Sequence, residues 1–270
     1  KDFAEVPVGL IGSNWGGTRI EPWTTPEGFQ AVPALKNIAD KLAEFPSKDA
    51  EGNINHQTPL ALYNGMIAPL VPYGIKGALW YQGEANGPFW LQYRRLLPTL
   101  IADWRKRFEV GDFPFLIVSL ANLGKEQSKP VEPGWAEIRE SQWRTTRTVP
   151  NTGLAMTIDI GNPNDIHPRK KGPVGARLAL AARAIAYHEK IEFSGPIYKS
   201  MKVDGSRAIL SFDQAPIFTI HGFCQRVLQQ LVFETGSRFE LELLTSEDSL
   251  ADDAARDFVA RYWGTADSRL

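Results

Sequence analysis

Short apolar segments alternate with amphipathic segments along most of this chain, and this alternation limits the folds open to it. The predicted strands cover residues 6–12, 75–81, 113–120 and 153–160. The predicted helices cover residues 33–45, 60–71, 89–108, 135–148 and 174–189. Because the strands are almost continuously apolar, both of their faces must be covered. The pattern predicts an α/β fold, a three-layer α/β/α parallel sheet with helices on both faces.

The pattern also divides the chain into three parts. Residues 1–195 form the predicted α/β domain. Residues 196–213 contain two strand-like segments on either side of Asp204-Gly205, which predicts a short β-hairpin. Residues 214–270 continue neither pattern. We expect this atypical tail to be a frameshifted or foreign segment.

Composition excludes several classes of function. The net charge of −1 argues against a nucleic-acid or membrane-surface binder. A single cysteine, Cys224, excludes an internal disulfide, and no two histidines have the spacing of metal ligands. The first residues, Lys1-Asp2-Phe3-Ala4-Glu5, do not have the pattern of a secretory signal peptide. We therefore expect no metal, no nucleic acid and no membrane, and composition indicates neither compartment nor oligomeric state.

Three polar loops follow predicted strands, after Gly12, Tyr81 and Ile160. Because the carboxyl ends of parallel strands meet at one edge of a sheet, we expect these loops to lie together there. The third loop contains Asp165-Ile166-His167-Pro168, an acid beside a histidine. Hydrolases use such a pair as a general base and its orienting carboxylate, although a loop histidine can equally be a solvated surface residue.

The other two loops contain groups that stabilise negative charge. Ser13-Asn14-Trp15-Gly16-Gly17-Thr18 exposes backbone N–H groups at Gly16 and Gly17 that can bind an oxyanion, or it is simply a tight turn. Gln82-Gly83-Glu84-Ala85-Asn86 offers amide donors at Gln82 and Asn86. In that loop Glu84 can accept backbone N–H groups, and the alternative is a polar loop in which Asn86 caps a helix.

Several tryptophans near these loops are candidate surfaces for stacking on sugar rings. They are Trp15, Trp23, Trp80 and Trp90.

Taken together, the loops resemble the sialate O-acetylesterase family of carbohydrate esterases, within the SGNH hydrolase superfamily. The likeness runs from about Val6 to Phe212 and is strongest in five motifs. They are Val6-Pro7-Val8-Gly9-Leu10-Ile11 with Trp15-Gly16-Gly17-Thr18, Leu62-Tyr63-Asn64-Gly65-Met66-Ile67-Ala68-Pro69-Leu70, Ile75-Lys76-Gly77-Ala78-Leu79-Trp80-Tyr81-Gln82-Gly83-Glu84-Ala85-Asn86, Ala102-Asp103-Trp104-Arg105 and Asp165-Ile166-His167-Pro168.

The resemblance implies a flavodoxin-like SGNH-hydrolase sheet and an esterase that removes acetyl groups from sugar hydroxyls through an acyl-enzyme. It implies an acetylated carbohydrate as substrate and no cofactor, and relatives are often secreted or periplasmic. By the same resemblance, His167 is the general base and Asp165 its partner, with Asp159 as an alternative acid. Gly16 or Gly17, together with Gln82 or Asn86, supplies the oxyanion donors.

The family's nucleophilic serine lies in a Gly-Gln-Ser-Asn motif well upstream of the segment that begins at Val6. This chain does not contain that motif, so we expect the nucleophile to lie upstream of Lys1. Ser13 is a less favoured candidate, and Ser141, on a predicted helix, is a poorer one. The alternatives to an active esterase are a non-catalytic carbohydrate-binding protein and an inactive fragment.

Overall fold

A computed structural model describes two compact units of this chain, Lys1–Glu189 and Lys190–Leu270. The residues described are 7–42, 48, 51–125, 134–205, 207–212 and 243–244. Apart from residues 243–244, the predicted tail of residues 214–270 lies outside them.

The first unit is built on a parallel sheet of three strands. They are β1 (Ala78–Trp80), β2 (Phe115–Val118) and β3 (Thr152–Ala155), in the spatial order β1-β2-β3. Because parallel neighbours need crossover connections, long segments containing helices join the strands. The α/β fold with a parallel sheet is confirmed.

Five α-helices accompany the sheet. They are α1 (Pro26–Gln30), α2 (Lys36–Lys41), α3 (Trp90–Phe108), α4 (Trp135–Thr148) and α5 (Lys171–Ala186). Shorter helical turns lie at Glu21–Trp23, Pro33–Leu35, Tyr63–Ile67, Ala68–Leu70 and Glu84–Phe89. Among the described residues, no helix is long and apolar enough to cross a membrane.

The central strand β2 shows how the helices cover both faces of the sheet. Its side chains Phe115 and Ile117 are fully buried in a cluster that includes α3 residues such as Leu100. Val118 belongs instead to a second cluster, with Ala155 of β3 and Val174 of α5. Because successive strand residues point to opposite faces, α3 and α5 lie on opposite sides of the sheet. The three-layer arrangement follows from this alternation.

The strand predicted at residues 6–12 is wrong for the part described. Residues 7–12 form no strand, and Leu10 is 89% exposed. An apolar segment becomes a buried strand only where a neighbouring strand forms hydrogen bonds with its backbone N–H and C=O groups. No described strand pairs with this segment.

Other predicted elements exist but are shorter. The strand predicted at 153–160 ends at Ala155, and the carbonyl of the next residue, Met156, accepts a hydrogen bond from Arg177 instead of from a neighbouring strand. The helix predicted at 60–71 is present as a helical segment that begins after Leu60, whose φ of 73° an α-helix does not allow, and it has π geometry at Tyr63–Ile67 and 3₁₀ geometry at Ala68–Leu70. The helix predicted at 33–45 is present as the turn Pro33–Leu35 followed directly by α2, and residues 43–45 lie outside the described residues.

In the second unit, β4 (Tyr198–Asp204) and β5 (Arg207–Phe212) form an antiparallel hairpin. Gly205 in the connecting turn has a φ of 60°, which glycine adopts without strain. A two-residue strand, β6 (Leu243–Leu244), pairs with β5 in parallel.

A buried carboxylate fixes α1 against α3. Asp103, on α3, accepts hydrogen bonds from the Thr25 backbone N–H at 2.8 Å and from the Thr25 hydroxyl at 2.6 Å. Thr25 is also the N-cap of α1, because its hydroxyl oxygen accepts from the Gly28 N–H. Arg107 pairs with Asp103 at 3.4 Å. Removing Asp103 would leave the donors around it unpaired in the interior.

We predict that Asp103→Ala lowers the free energy of unfolding by about 3 kcal/mol, because one partner of a buried charged network is lost. Urea denaturation measures the change. Asp40→Ala, at an exposed position on α2, is the matched control and should change stability by less than about 0.5 kcal/mol. Equal losses in the two variants would contradict the structural role of Asp103.

Candidate active site

The loop of residues 13–18 is a tight turn whose shape is set by Thr18. The Thr18 hydroxyl donates to the Trp15 carbonyl at 3.0 Å and accepts from the Trp23 indole N–H, also at 3.0 Å. Gly17 has a φ of 73°, a conformation that favours glycine. Gly16 and Gly17 are both exposed at this turn.

Two buried amides from the loop after β1 hold this turn in place. Asn86, with no exposed surface, accepts from the Ile20 N–H at 2.9 Å and donates to the Glu21 carboxylate at 3.1 Å. The Gln82 amide nitrogen donates to the Asn86 oxygen at 2.7 Å and to the Thr18 carbonyl at 3.0 Å. These contacts bring the first two predicted loops together.

The same contacts define what the two amides can do chemically. Both hydrogens of the Gln82 amide are used by protein acceptors, and the Asn86 amide is enclosed. An oxyanion donor needs an N–H group that points into open space at the site. Among the four residues expected to supply donors, Gly16 and Gly17 are the ones that solvent reaches.

Gln57, which no sequence motif indicated, holds the glycine turn from its other side. Its amide nitrogen donates to the Gly17 carbonyl at 2.6 Å, and its amide oxygen accepts from the Arg19 N–H at 3.1 Å. Asn55 fixes Gln57 in turn, by accepting its backbone N–H at 2.8 Å. No local signal marks Gln57, because its partners lie about 40 residues earlier in the chain.

The third loop presents His167 to solvent. The Asp165 carboxylate accepts the His167 backbone N–H at 2.9 Å and lies 3.8 Å from Nδ1 of the ring. The His167 side chain is 86% exposed. Asp165 therefore holds the backbone of His167 and lies within ion-pair distance of its imidazole.

The alternative acid, Asp159, is engaged elsewhere. Two guanidinium nitrogens of Arg177 each donate to one of its carboxylate oxygens at 2.6 Å. These hydrogen bonds hold the pKa of Asp159 below its usual range. Because Arg177 binds both carboxylate oxygens of Asp159, Asp165 is the better candidate for the partner of His167.

Close packing positions this loop beside the one that follows β2. The Gly124 N–H donates to the Pro163 carbonyl at 3.0 Å. A side chain on Gly161 would overlap the backbone of Asn122, so only glycine permits this approach.

Electrostatics connects the loop after β1 with the loop after β3. Glu84 is half-buried, and burial raises its pKa, while the nearby positive charges of His167 and Lys171 oppose that rise. The Lys171 ammonium group also lies 4.9 Å from the centre of the Tyr81 ring. Burial, with the charge of Glu84 as a smaller cause, raises the pKa of Tyr81. The start of α5, which follows the third loop, therefore lies against Tyr81 at the end of β1.

Neither candidate serine contacts the histidine. The Ser13 hydroxyl donates to the Met66 carbonyl at 3.2 Å, and the buried Ser141 hydroxyl donates to the Glu137 carbonyl at 2.7 Å. Within the described ranges, no serine hydroxyl is hydrogen-bonded to His167, and no group of acidic, histidine or cysteine side chains is arranged to hold a metal ion.

We predict that Gln57→Glu loosens the glycine turn at neutral pH and that acid restores it. A charged carboxylate at position 57 repels the Gly17 carbonyl, whereas a protonated carboxyl group donates and accepts as the amide does. Hydrogen exchange measures the protection of the Arg19 amide, corrected for the intrinsic rate at each pH. Protection should fall about tenfold at pH 7 and recover below about pH 4, near the ordinary pKa of glutamate.

Gln30→Glu, at an exposed position, is the matched control and should leave Arg19 protection unchanged at both values of pH. Protection in Gln57→Glu that equals the unsubstituted protein at pH 7 would show that Gln57 does not hold the turn.

Comparison with known proteins identifies the family of this chain. A family model described as carbohydrate esterase, sialic acid-specific acetylesterase, matches residues 1–184. The chain is 34% identical over 228 residues to the sialate O-acetylesterase of Homo sapiens, covering 78% of this chain and 42% of that protein. It also resembles the crystal structure of a carbohydrate acetylesterase from Xanthomonas citri, with a TM-score of 0.64 and 41% identity over 77% of this chain and 44% of that one.

A different protein matches a short part of the chain. The RecB subunit of the RecBCD enzyme of Escherichia coli is 48% identical over 50 residues, which is 18% of this chain and 4% of that protein.

The chain spans less than half the length of the esterases that it matches. The family model nevertheless covers more than half of the chain, including the three loops of the candidate site. This chain therefore belongs to the sialic acid-specific acetylesterase family of carbohydrate esterases.

Proposed function

We propose that the first unit of this protein hydrolyses acetyl esters on carbohydrate hydroxyls through an acyl-enzyme. The observations that carry the proposal are an exposed His167 paired with Asp165 in the loop after β3, and a solvent-exposed glycine turn held against the loop after β1. A relative whose name states this kind of chemistry, the acetylesterase from Xanthomonas citri, shares the fold at 41% identity.

In the proposed reaction His167 removes the proton of a serine hydroxyl as the serine oxygen attacks the acetyl carbonyl. The Gly16 and Gly17 N–H groups stabilise the negative charge that forms on the carbonyl oxygen. His167 then donates the proton to the departing sugar oxygen, which leaves an acetyl-serine. Water attacks this ester with the same histidine as base and releases acetate.

The other site residues support these steps. Asp165 orients the imidazole and stabilises it when it is charged. Gln82 and Asn86 hold the glycine turn in position. Glu84 adds a half-buried carboxyl group in the loop after β1.

The nucleophile in this proposal is the serine of the Gly-Gln-Ser-Asn motif that the family carries upstream of the segment at Val6. Ser13 is the second candidate, and its bond to the Met66 carbonyl argues against it. The absence of a serine on His167 within the described ranges favours one alternative function, a carbohydrate-binding protein that is not catalytic.

Fluorophosphonate labelling with peptide mapping identifies the nucleophile. In the 270-residue chain we expect no label on Ser13 or Ser141. In a longer protein that includes the upstream motif, we expect a label on its serine. There His167→Ala should reduce both labelling and aryl-acetate hydrolysis by roughly a thousandfold or more, because the general base is lost.

His188→Asn is the matched control, since asparagine tolerates the positive φ of 57° at position 188. It should leave labelling and hydrolysis unchanged. A label on Ser13 that disappears in His167→Ala would move the nucleophile into the glycine loop. A longer protein that folds but is neither labelled nor active would favour the binding function.

We also propose that the tail, from about residue 214, is a foreign segment related to RecB. The esterase match covers 78% of the chain and leaves 22%, and the RecB match spans 18%. We assign the tail no part in the esterase site.

If the tail is foreign, a chain ending at Asp213 should keep the thermal midpoint of the first unit to within about 2 °C, because it loses no contact of that unit's core. Differential scanning calorimetry of the two chains provides the comparison. A large loss of stability on removing the tail would show that the tail belongs to the fold.

A further inference from the structure

One tryptophan at the candidate site is exposed, whereas its neighbours are buried. Trp15 is 53% exposed, and Trp23 and Trp80 are 3% and 7% exposed. Trp90 is half-buried, with the Arg94 guanidinium 5.3 Å from the centre of its ring. Among the four tryptophans that the sequence suggested as sugar-stacking surfaces, the structure therefore selects Trp15.

The indole of Trp15 is supported from one side. The His56 imidazole stacks on it, with ring centres 5.7 Å apart and planes inclined by 12°. A parallel stack covers one face of the indole, and so the exposed surface is an open, flat apolar area.

The position of this indole is fixed by the site itself. Its backbone carbonyl accepts the Thr18 hydroxyl, and Gln57, the residue after His56, clamps Gly17. The turn that presents the Gly16 and Gly17 N–H groups therefore also fixes the indole beside them. A group resting on Trp15 lies next to the proposed oxyanion site.

We propose that the open face of Trp15 is a subsite for the pyranose ring of the acetylated substrate, with His56 as its support. A pyranose ring has a flat face of C–H groups while its hydroxyls point outward, so it covers an indole without burying unpaired polar groups. The inference rests on the proposed esterase function, because that function supplies a sugar as the occupant.

Two probes separate ring stacking from ester recognition. Fully acetylated methyl β-D-xylopyranoside carries acetyl esters on a pyranose ring, and glycerol triacetate carries them without a ring. NMR titration follows the Trp15 indole N–H resonance, which is identified by its absence in Trp15→Ala. This measurement detects binding whether or not the chain hydrolyses either ester.

We expect the pyranoside to shift the Trp15 indole resonance and to bind Trp15→Ala about tenfold more weakly, as the loss of one aromatic contact predicts. Glycerol triacetate should bind both proteins equally. Trp15→Tyr should restore most of the affinity. Trp143→Ala removes an indole that is 38% exposed on α4, and it should change nothing.

In a protein that hydrolyses both esters, Trp15→Ala should lower kcat/KM for the pyranoside alone. Equal losses for the two esters would show that Trp15 merely maintains the turn, and this would overturn the subsite. No binding of the pyranoside to the unsubstituted chain would overturn it as well. Binding at Trp15 in a longer protein that hydrolyses neither ester would instead refute the esterase function and leave the subsite standing.

Discussion

The arrangement of the site depends on a single buried amide, that of Asn86. It accepts the Ile20 N–H and a Gln82 hydrogen, and it donates to Glu21, while solvent reaches none of it. An amide buried without these partners would be costly, so its network is stable only when the glycine turn is seated against the loop after β1. Gln142 of α4 plays a similar part between strands, because it donates to the carbonyls of Gln82 and Val118.

Hydrophobic periodicity predicted the elements whose partners lie within the described chain. Helix α4 has the predicted bounds, and α3 begins one residue later than predicted. The strand predicted at residues 6–12 failed because a pattern of apolar residues records what a strand would bury but not whether a neighbour exists to pair with it. The helix predicted at 60–71 begins later than expected because of a backbone angle, the positive φ of Leu60, that the hydrophobic pattern does not record.

The sequence placed the loops after β1 and β3 at the same edge of the sheet, since the carboxyl ends of parallel strands meet there. The glycine turn follows no described strand, and buried amides hold it to the loop after β1. The sequence did not predict which polar groups in those loops remain free to bind an oxyanion. The Gln82 amide has two N–H groups that could bind an oxyanion, but in the fold they donate to the Thr18 carbonyl and to the Asn86 amide oxygen. The sequence also did not predict the hydrogen bond from Gln57 to Gly17 or the pairing of Asp159 with Arg177. Each of these contacts joins segments that are far apart in the chain.

Neutral amides do most of the positioning at this edge, and this has a consequence for acid–base chemistry. An amide donates and accepts in the same way at every pH at which the protein is folded, whereas a carboxylate loses acceptors on protonation. Gln57, Gln82 and Asn86 therefore hold the glycine turn whatever the charge on the groups nearby. In the proposed reaction these amides keep the Gly16 and Gly17 N–H groups in place while protons move at His167. The groups that titrate are thereby kept separate from the groups that set the geometry.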